Sequence, residues 1–171
     1  RTGAFPDWSS MDCVGPLART VHDVALVLQV MAGYDSEDPT TSAAPVPSYV
    51  DALKADLAGM RIGVPKEYFF DNLEPEVAGG VQDAIAAFGE LGAEAVEVSL
   101  PNIGLTNEAR GPLQEAETAA AHHELFRERG HLYGADMAER VKAAGKVTGA
   151  QYAHAQHLRA IILREVVEAL E

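Results

Sequence analysis

The stretch from Met60 to Leu100 constrains this chain most. A short β-rich run from Ile62 to Val64 stops at Pro65, a helix pattern follows, and a second β run extends from Ala95 to Leu100. Such strand–helix–strand units pair their strands in parallel with a right-handed crossover. The fold class expected is therefore α/β, with the remaining segments reading mostly as helix that could cover a sheet.

The unit is consistent residue by residue. Pro75 suits a first helical turn, where its missing N–H costs nothing. Glu74 and Glu76 put negative charge at the positive end of the helix dipole. Val77, Val81, Ala84, Ile85, Phe88 and Leu91 recur at three- and four-residue steps, giving one apolar stripe, and Gly92 is a natural stop. Val96, Val98 and Leu100 alternate with Glu97 and Ser99, the pattern of a half-buried strand. Two short strands make a poor sheet. The strands needed to bury the stripe must come from weakly marked segments or from outside these residues.

Upstream, the first dozen residues are turn-rich. Thr20 is a good N-cap, with Asp23 three residues on as a capping-box partner. Val21, Val24, Ala25, Leu28, Met31 and Ala32 form a stripe; Leu26, Val27 and Val30 are apolar too, so this helix should be buried nearly all round until Gly33 ends it. A loop with three prolines, residues 36–47, should hold little regular structure. Ser48 and Asp51 then mark a short helix that stops at Gly59 and lays Leu53 and Leu57 on the core. Downstream, Leu113, Ala116, Ala120 and Phe126 fit one helix, and Met137, Val141 and Ala144 a second. Thr148 caps a third helix with the stripe Tyr152, Ala155, Leu158, Ile162, Val166 and Leu170.

With 171 residues there is enough chain for one ordinary domain, and 47% hydrophobic content is that of a globular protein. The net charge of −13 falls mainly on the first two thirds. An acidic surface repels phosphates, which argues against direct nucleic-acid binding. A single cysteine, Cys13, excludes an internal disulfide framework and fits a reducing compartment; its default role is a small buried apolar residue. No apolar run approaches membrane-spanning length and no basic-then-apolar leader opens the sequence, so a cytoplasmic location is expected. Because it starts on Arg1 instead of Met, the chain is expected to be a segment of something longer.

The motif Ser10–Met11–Asp12–Cys13–Val14–Gly15–Pro16–Leu17–Ala18–Arg19–Thr20–Val21–His22–Asp23 resembles the S-[LM]-D-x-x-G-P-[LMI]-x-R-T-V-x-D block of the amidase signature family. Gly33–Tyr34–Asp35 and Asp38–Pro39–Thr40 resemble its A-G-x-D-x-x-D-P-T. Arg61–Ile62–Gly63–Val64–Pro65–Lys66–Glu67–Tyr68–Phe69 resembles its R-I-G-V-P-[KR]-E-Y-F. The ordered blocks cover residues 9–101, and the likeness is weaker over 110–171.

The resemblance implies a three-layer α/β/α fold, of which this chain is a single partial domain. Its parts are the helix and loop of 1–59, the unit of 60–101 and the helical 110–171. The resemblance also implies hydrolysis of a small carboxamide by a Ser–cis-Ser–Lys triad, with no cofactor and no metal. The family's Gly/Ser-rich nucleophile run and its Lys motif precede the S-x-D block. Gly79–Gly80 sits inside a helix pattern, and Lys54, Lys66, Lys142 and Lys146 do not match the Lys motif. No catalytic residue is therefore carried over, and the chain alone is expected to be inactive.

Around that missing chemistry, Phe5 and Trp8 could wall the substrate pocket, since the family's turn before S-x-D follows the nucleophile loop closely; ordinary core packing is the alternative. Asp12 and Arg19 read as structural. Ser9–Ser10 lacks the flanking glycines of a nucleophile elbow. Tyr68–Phe69–Phe70 lies at the C-terminal end of a strand, an edge that often faces ligand in open α/β sheets, with packing as the competing role. His122 and His123 are adjacent and face apart. His154 and His157 are one turn apart but lack a third ligand, so zinc is not expected. In glutamine amidotransferase A subunits the corresponding helix resembles E-A-S-S-N-L-x-R, whose Arg grips a carboxylate. Here Glu117–Thr118–Ala119–Ala120–Ala121–His122–His123–Glu124 ends on an acid, which would repel one. A generic amidase is preferred over an amidotransferase component, with a non-catalytic scaffold as a third reading. Homo-oligomer formation or amidotransferase partner subunits stay open.

Overall fold

A computed structural model describes residues 1–53 and 57–171. The chain divides into two compact units, Arg1–Pro6 with Ser10–Ala55, and Asp7–Ser9 with Asp56–Glu171.

The first unit holds helix α1, Val21–Met31. The Thr20 hydroxyl accepts from the Asp23 N–H at 3.1 Å, the cap the sequence marks. Burial departs from expectation. Among the residues of α1 only Ala25 is buried, while Val21, Val27 and Val30 stay exposed. A helix apolar on all sides needs neighbours on all sides, and the described residues supply too few of them. Gly33, at φ +141°, lets the chain leave the helix.

The proline-rich loop is better organised than its composition implies. Asp38 Oδ1 accepts from the Thr40 N–H at 3.0 Å and from its hydroxyl at 2.6 Å. Asp38 Oδ2 accepts from the Arg1 amino group at 2.9 Å and from Arg1 Nε at 3.2 Å. The Thr41 hydroxyl accepts from Asp35 N and donates to the Asp38 carbonyl. Short polar side chains here replace a ladder with local side chain–backbone bonds. The short helix expected over 48–59 is corrected. Residues 48–53 form hydrogen-bonded turns, with the Ser48 hydroxyl donating to Asp51 at 2.6 Å, and Leu53 is exposed instead of lying on a core. Lys54 and the other residues of 54–56 lie outside the described residues.

The second unit contains the expected strand–helix–strand element, although its second strand ends at Val98, two residues before the expected Leu100. Strands β1, Arg61–Pro65, and β2, Glu94–Val98, pair in parallel with Arg61 opposite Glu94 and Pro65 opposite Val98. Helix α2, Pro75–Glu90, connects them with Pro75 in its first turn. Two glycines are needed for close approach. A Cβ on Gly63 would lie 3.3 Å from a Val98 methyl, and one on Gly92 (φ +95°) 3.3 Å from the Ala58 backbone. The apolar stripe of α2 is not buried: Val77, Val81, Phe88 and Leu91 remain exposed, and Ile85 is half-buried. Two strands present too narrow a face to cover it.

Beyond β2 the chain is helical: α3, Thr106–Arg129; α4, Ala135–Ala144; and α5, Gly149–Ala169. Helix α3 packs against both α4 and α5. Their core is Ala109, Leu113, Val141, Ala144, Ala155 and Leu158, extended by Leu100 and Ile103. Thr148 caps α5 with a reciprocal Gln151 capping box. Ala155 and Leu158 of the expected α5 stripe are buried, whereas Leu170 at its end is 81% exposed.

Candidate functional site

The buried face of α3 is the unexpected part of the molecule. Alongside Ala109 and Leu113 it carries Glu117, Thr118 and His122, all buried. Buried polar side chains are retained where hydrogen bonds satisfy them. Thr118 and His122 lie one turn apart, and both turn towards Asp7, far away in sequence. The Thr118 hydroxyl donates to Asp7 Oδ1 at 2.7 Å. Arg140 Nη2, from α4, donates to Asp7 Oδ2 at 2.8 Å. His122 Nε2 stands 3.9 Å from Asp7 Oδ1, while its Nδ1 shares a 2.8 Å hydrogen bond with the Tyr133 hydroxyl.

Aromatic rings close the cluster. Tyr133 meets Phe126 edge-to-face at 5.1 Å, and the Arg140 guanidinium carbon lies 6.0 Å from the centre of the Trp8 ring. On the other side of the α3 face, the Tyr152 hydroxyl donates to Glu117 Oε1 at 3.4 Å and accepts from Gln156 Nε2 at 2.7 Å. The Asp7 carboxylate thus takes a neutral donor from α3 and a cationic donor from α4. The arrangement fixes Asp7, Thr118, His122 and Arg140 against one another.

Trp8, one of the two expected pocket-wall residues, is half-buried in this cluster. Phe5 belongs to the other unit and is 63% exposed. His122 and His123 do face apart, the first buried and the second exposed. Glu124 is solvent-exposed and pairs with Arg127 at 2.5 Å, away from the buried face. His154 pairs with Glu108 at 2.9 Å, and among the described residues no three His, Cys, Asp or Glu side chains converge as a metal site. Cys13 is exposed, its thiol donating to the Met11 carbonyl at 3.6 Å, which corrects the expectation of a buried apolar residue. The Asp12 carbonyl accepts from Arg1 Nη1 at 2.9 Å, an ordering role for that turn.

At the C-terminal edge of the two strands, Glu67 accepts from the Leu100 N–H and the Ser99 hydroxyl, each at 2.7 Å. Those bonds, Leu100 first, hold its carboxyl below the usual carboxylate range. Tyr68 follows in a left-handed conformation, φ +72°, with its hydroxyl donating to Asn107 at 3.0 Å. Asp7, Tyr133 and Arg140 carry no sequence mark that singles them out, and neither does Thr118 alone. The one available signal is the E-T-A-A-A-H spacing on α3, which puts three polar residues on what becomes its inner face.

The family model for amidases matches residues 1–171. This chain belongs to the amidase signature family. An amidase of Pseudomonas putida is 43% identical over 159 residues, which is 93% of this chain and 34% of that protein. One of the glutamyl-tRNA(Gln) amidotransferase A subunits, from Trichlorobacter lovleyi, is 46% identical over 134 residues, 78% of this chain and 27% of that protein. Among solved structures, a component of a vestigial protein complex tied to the origins of an s-triazine catabolic enzyme superposes with a TM-score of 0.85 at 29% identity. That match covers 98% of this chain and 36% of the other. A crystal structure of an amidase gives 0.73 at 26% identity, covering 99% and 35%. The α/β family fold inferred from the motifs is thus the fold these neighbours share, and this chain spans about a third of the length of the relatives it matches. No helix among the described residues is long and apolar enough to cross a membrane.

Proposed function

We propose that residues 1–171 are the supporting part of an amidase signature hydrolase that cleaves the C–N bond of a small carboxamide to acid and ammonia. In this reading the Ser–cis-Ser–Lys set is contributed by polypeptide outside these residues. The single observation that supports it best is a family match along the whole chain that still accounts for only about a third of each relative. The uncovered stripe of α2 agrees, since an apolar face on a two-stranded sheet is what a segment cut from a larger sheet would expose. On this reading Trp8, beside Arg140 of α4, walls the substrate side of the site.

The amidotransferase reading is favoured by the 46% identity to one of the amidotransferase A subunits. It would add partner subunits and glutamine as the amide. Against it stands Glu124 at the position where those subunits resemble an Arg; an exposed acid there offers a substrate carboxylate no partner.

The test is ammonia release. A longer polypeptide containing these residues, purified alone, should hydrolyse small carboxamides, and the 171-residue chain should not. Turnover of a simple amide by the 171-residue chain would overturn the division of labour. Glutamine-specific turnover that needs a partner protein would move the assignment to the amidotransferase.

A further inference from the structure

Residues Asp7–Ser9 belong with the helical unit, whereas the segments on both sides of them, Arg1–Pro6 and Ser10–Ala55, belong to the other unit. Something must hold three residues to a body made by chain more than a hundred positions away. The Asp7 carboxylate does so with both oxygens. Oδ1 takes the hydroxyl of Thr118, a side chain only 1% exposed, and Oδ2 takes the Arg140 guanidinium. The same guanidinium lies over the Trp8 ring, so one cation fixes two consecutive residues. Trp8 is followed at once by Ser9 and the Ser10–Met11–Asp12 block.

We propose that Asp7 is a positioning residue for substrate recognition: by bridging Thr118 and Arg140 it holds the Trp8 indole as a fixed wall that favours bulky, apolar acyl groups. This inference rests on the amidase reading above. It concerns selectivity, not bond cleavage. Asp7 is hydrogen-bonded on both oxygens, and the indole it places offers a broad aromatic face. A rigid aromatic wall rewards the substrate that fills it and leaves a small amide indifferent.

Two measurements test it. In the longer polypeptide, Asp7→Asn should raise KM for an amide with an aromatic or long aliphatic acyl group about ten-fold or more, the discrimination carried by one apolar contact in a pocket. KM for acetamide and kcat for both substrates should change less than about two-fold. Thr118→Val, which keeps shape and removes only the donor, should act in the same direction, and Thr118→Ser should restore wild-type selectivity. In the 171-residue chain Trp8 is the single tryptophan, so its fluorescence reports the wall directly. Asp7→Asn and Thr118→Val should move its emission to longer wavelength, while the far-ultraviolet circular dichroism stays unchanged. Unchanged emission in both variants, or an equal loss on acetamide and on the bulky amide, would overturn the proposal. Should Asp7→Asn fail to fold, the Thr118 pair decides. If the longer polypeptide hydrolyses no amide, the amidase reading fails and with it the selectivity role, while the emission shift separately decides whether Asp7 holds the indole.

Discussion

The hydroxyl of Thr118 donates to a carboxylate oxygen of Asp7 at 2.7 Å across 111 residues of sequence. The donor is buried and the acceptor is about one-third exposed. Thr118→Val therefore leaves a carboxylate that water can partly recover, and the expected loss is about 1 kcal/mol, at the low end for an orphaned polar group. Urea unfolding followed by circular dichroism should show a lower midpoint with an unchanged slope. An unchanged midpoint would mean that Arg140 alone holds the carboxylate.

The Tyr133 hydroxyl is the partner of His122 Nδ1 inside the same cluster. Tyr133→Phe keeps the ring against Phe126 and removes only that bond. The expected cost is about 1 kcal/mol, a fall in Tm of roughly 2–4 °C for a chain of this size. Tyr133→Leu also loses the edge-to-face contact and should melt lower still.

How much of this is legible in the sequence follows from where each signal lies. Pro75, the α2 stripe and the alternation at Val96 and Val98 are local, and the parallel unit they specify forms with the expected elements. Thr20 and Thr148 announce their helices through cap chemistry that involves residues three positions away. The Asp7 cluster needs four elements brought together, and no periodicity records that. The exposure of α1 escapes its sequence because an apolar pattern states what a helix needs, while burial depends on what is present to meet it. The loop at Asp38 reads as irregular from its prolines, although its Asp and Thr side chains build the turn themselves.

That loop carries a pH dependence. The Thr40 hydroxyl, then the Thr40 N–H, holds the Asp38 carboxyl well below the ordinary carboxylate value of 3.8. A folded-state pKa below the unfolded one gives stability that is present above the unfolded value and lost as pH falls towards the folded one. Melting temperature should therefore drop as pH is lowered from about 5 towards 2. Asp38→Asn should melt lower at neutral pH and show a shallower acid dependence. An acid limb as steep in Asp38→Asn as in the parent would assign the effect to other carboxylates, Glu67 and Asp35 first, both also lowered.

Thr148 accepts from the Gln151 N–H at 3.2 Å, and Gln151 Oε1 accepts from the Thr148 N–H at 2.9 Å. Thr148→Ala should cost about 1 kcal/mol, the usual value of an N-cap. Its signature is local: hydrogen exchange should speed up in the first turn of α5, at Ala150–Tyr152, before it does at Leu158 in the core.

Phe88 separates the chain from the larger protein proposed around it. It belongs to the α2 stripe and is 42% exposed, so in the 171-residue chain Phe88→Ala should change stability by less than about 0.5 kcal/mol. The same substitution should reduce the fluorescence of a dye that reports apolar surface, because Val77, Val81 and Leu91 flank it on an open face. In the longer polypeptide, further strands would cover that face. Phe88→Ala would then delete a buried ring and cost about 3 kcal/mol or more. Equal and small effects in both contexts would mean that the stripe stays uncovered, and the missing strands would have to be sought against another face.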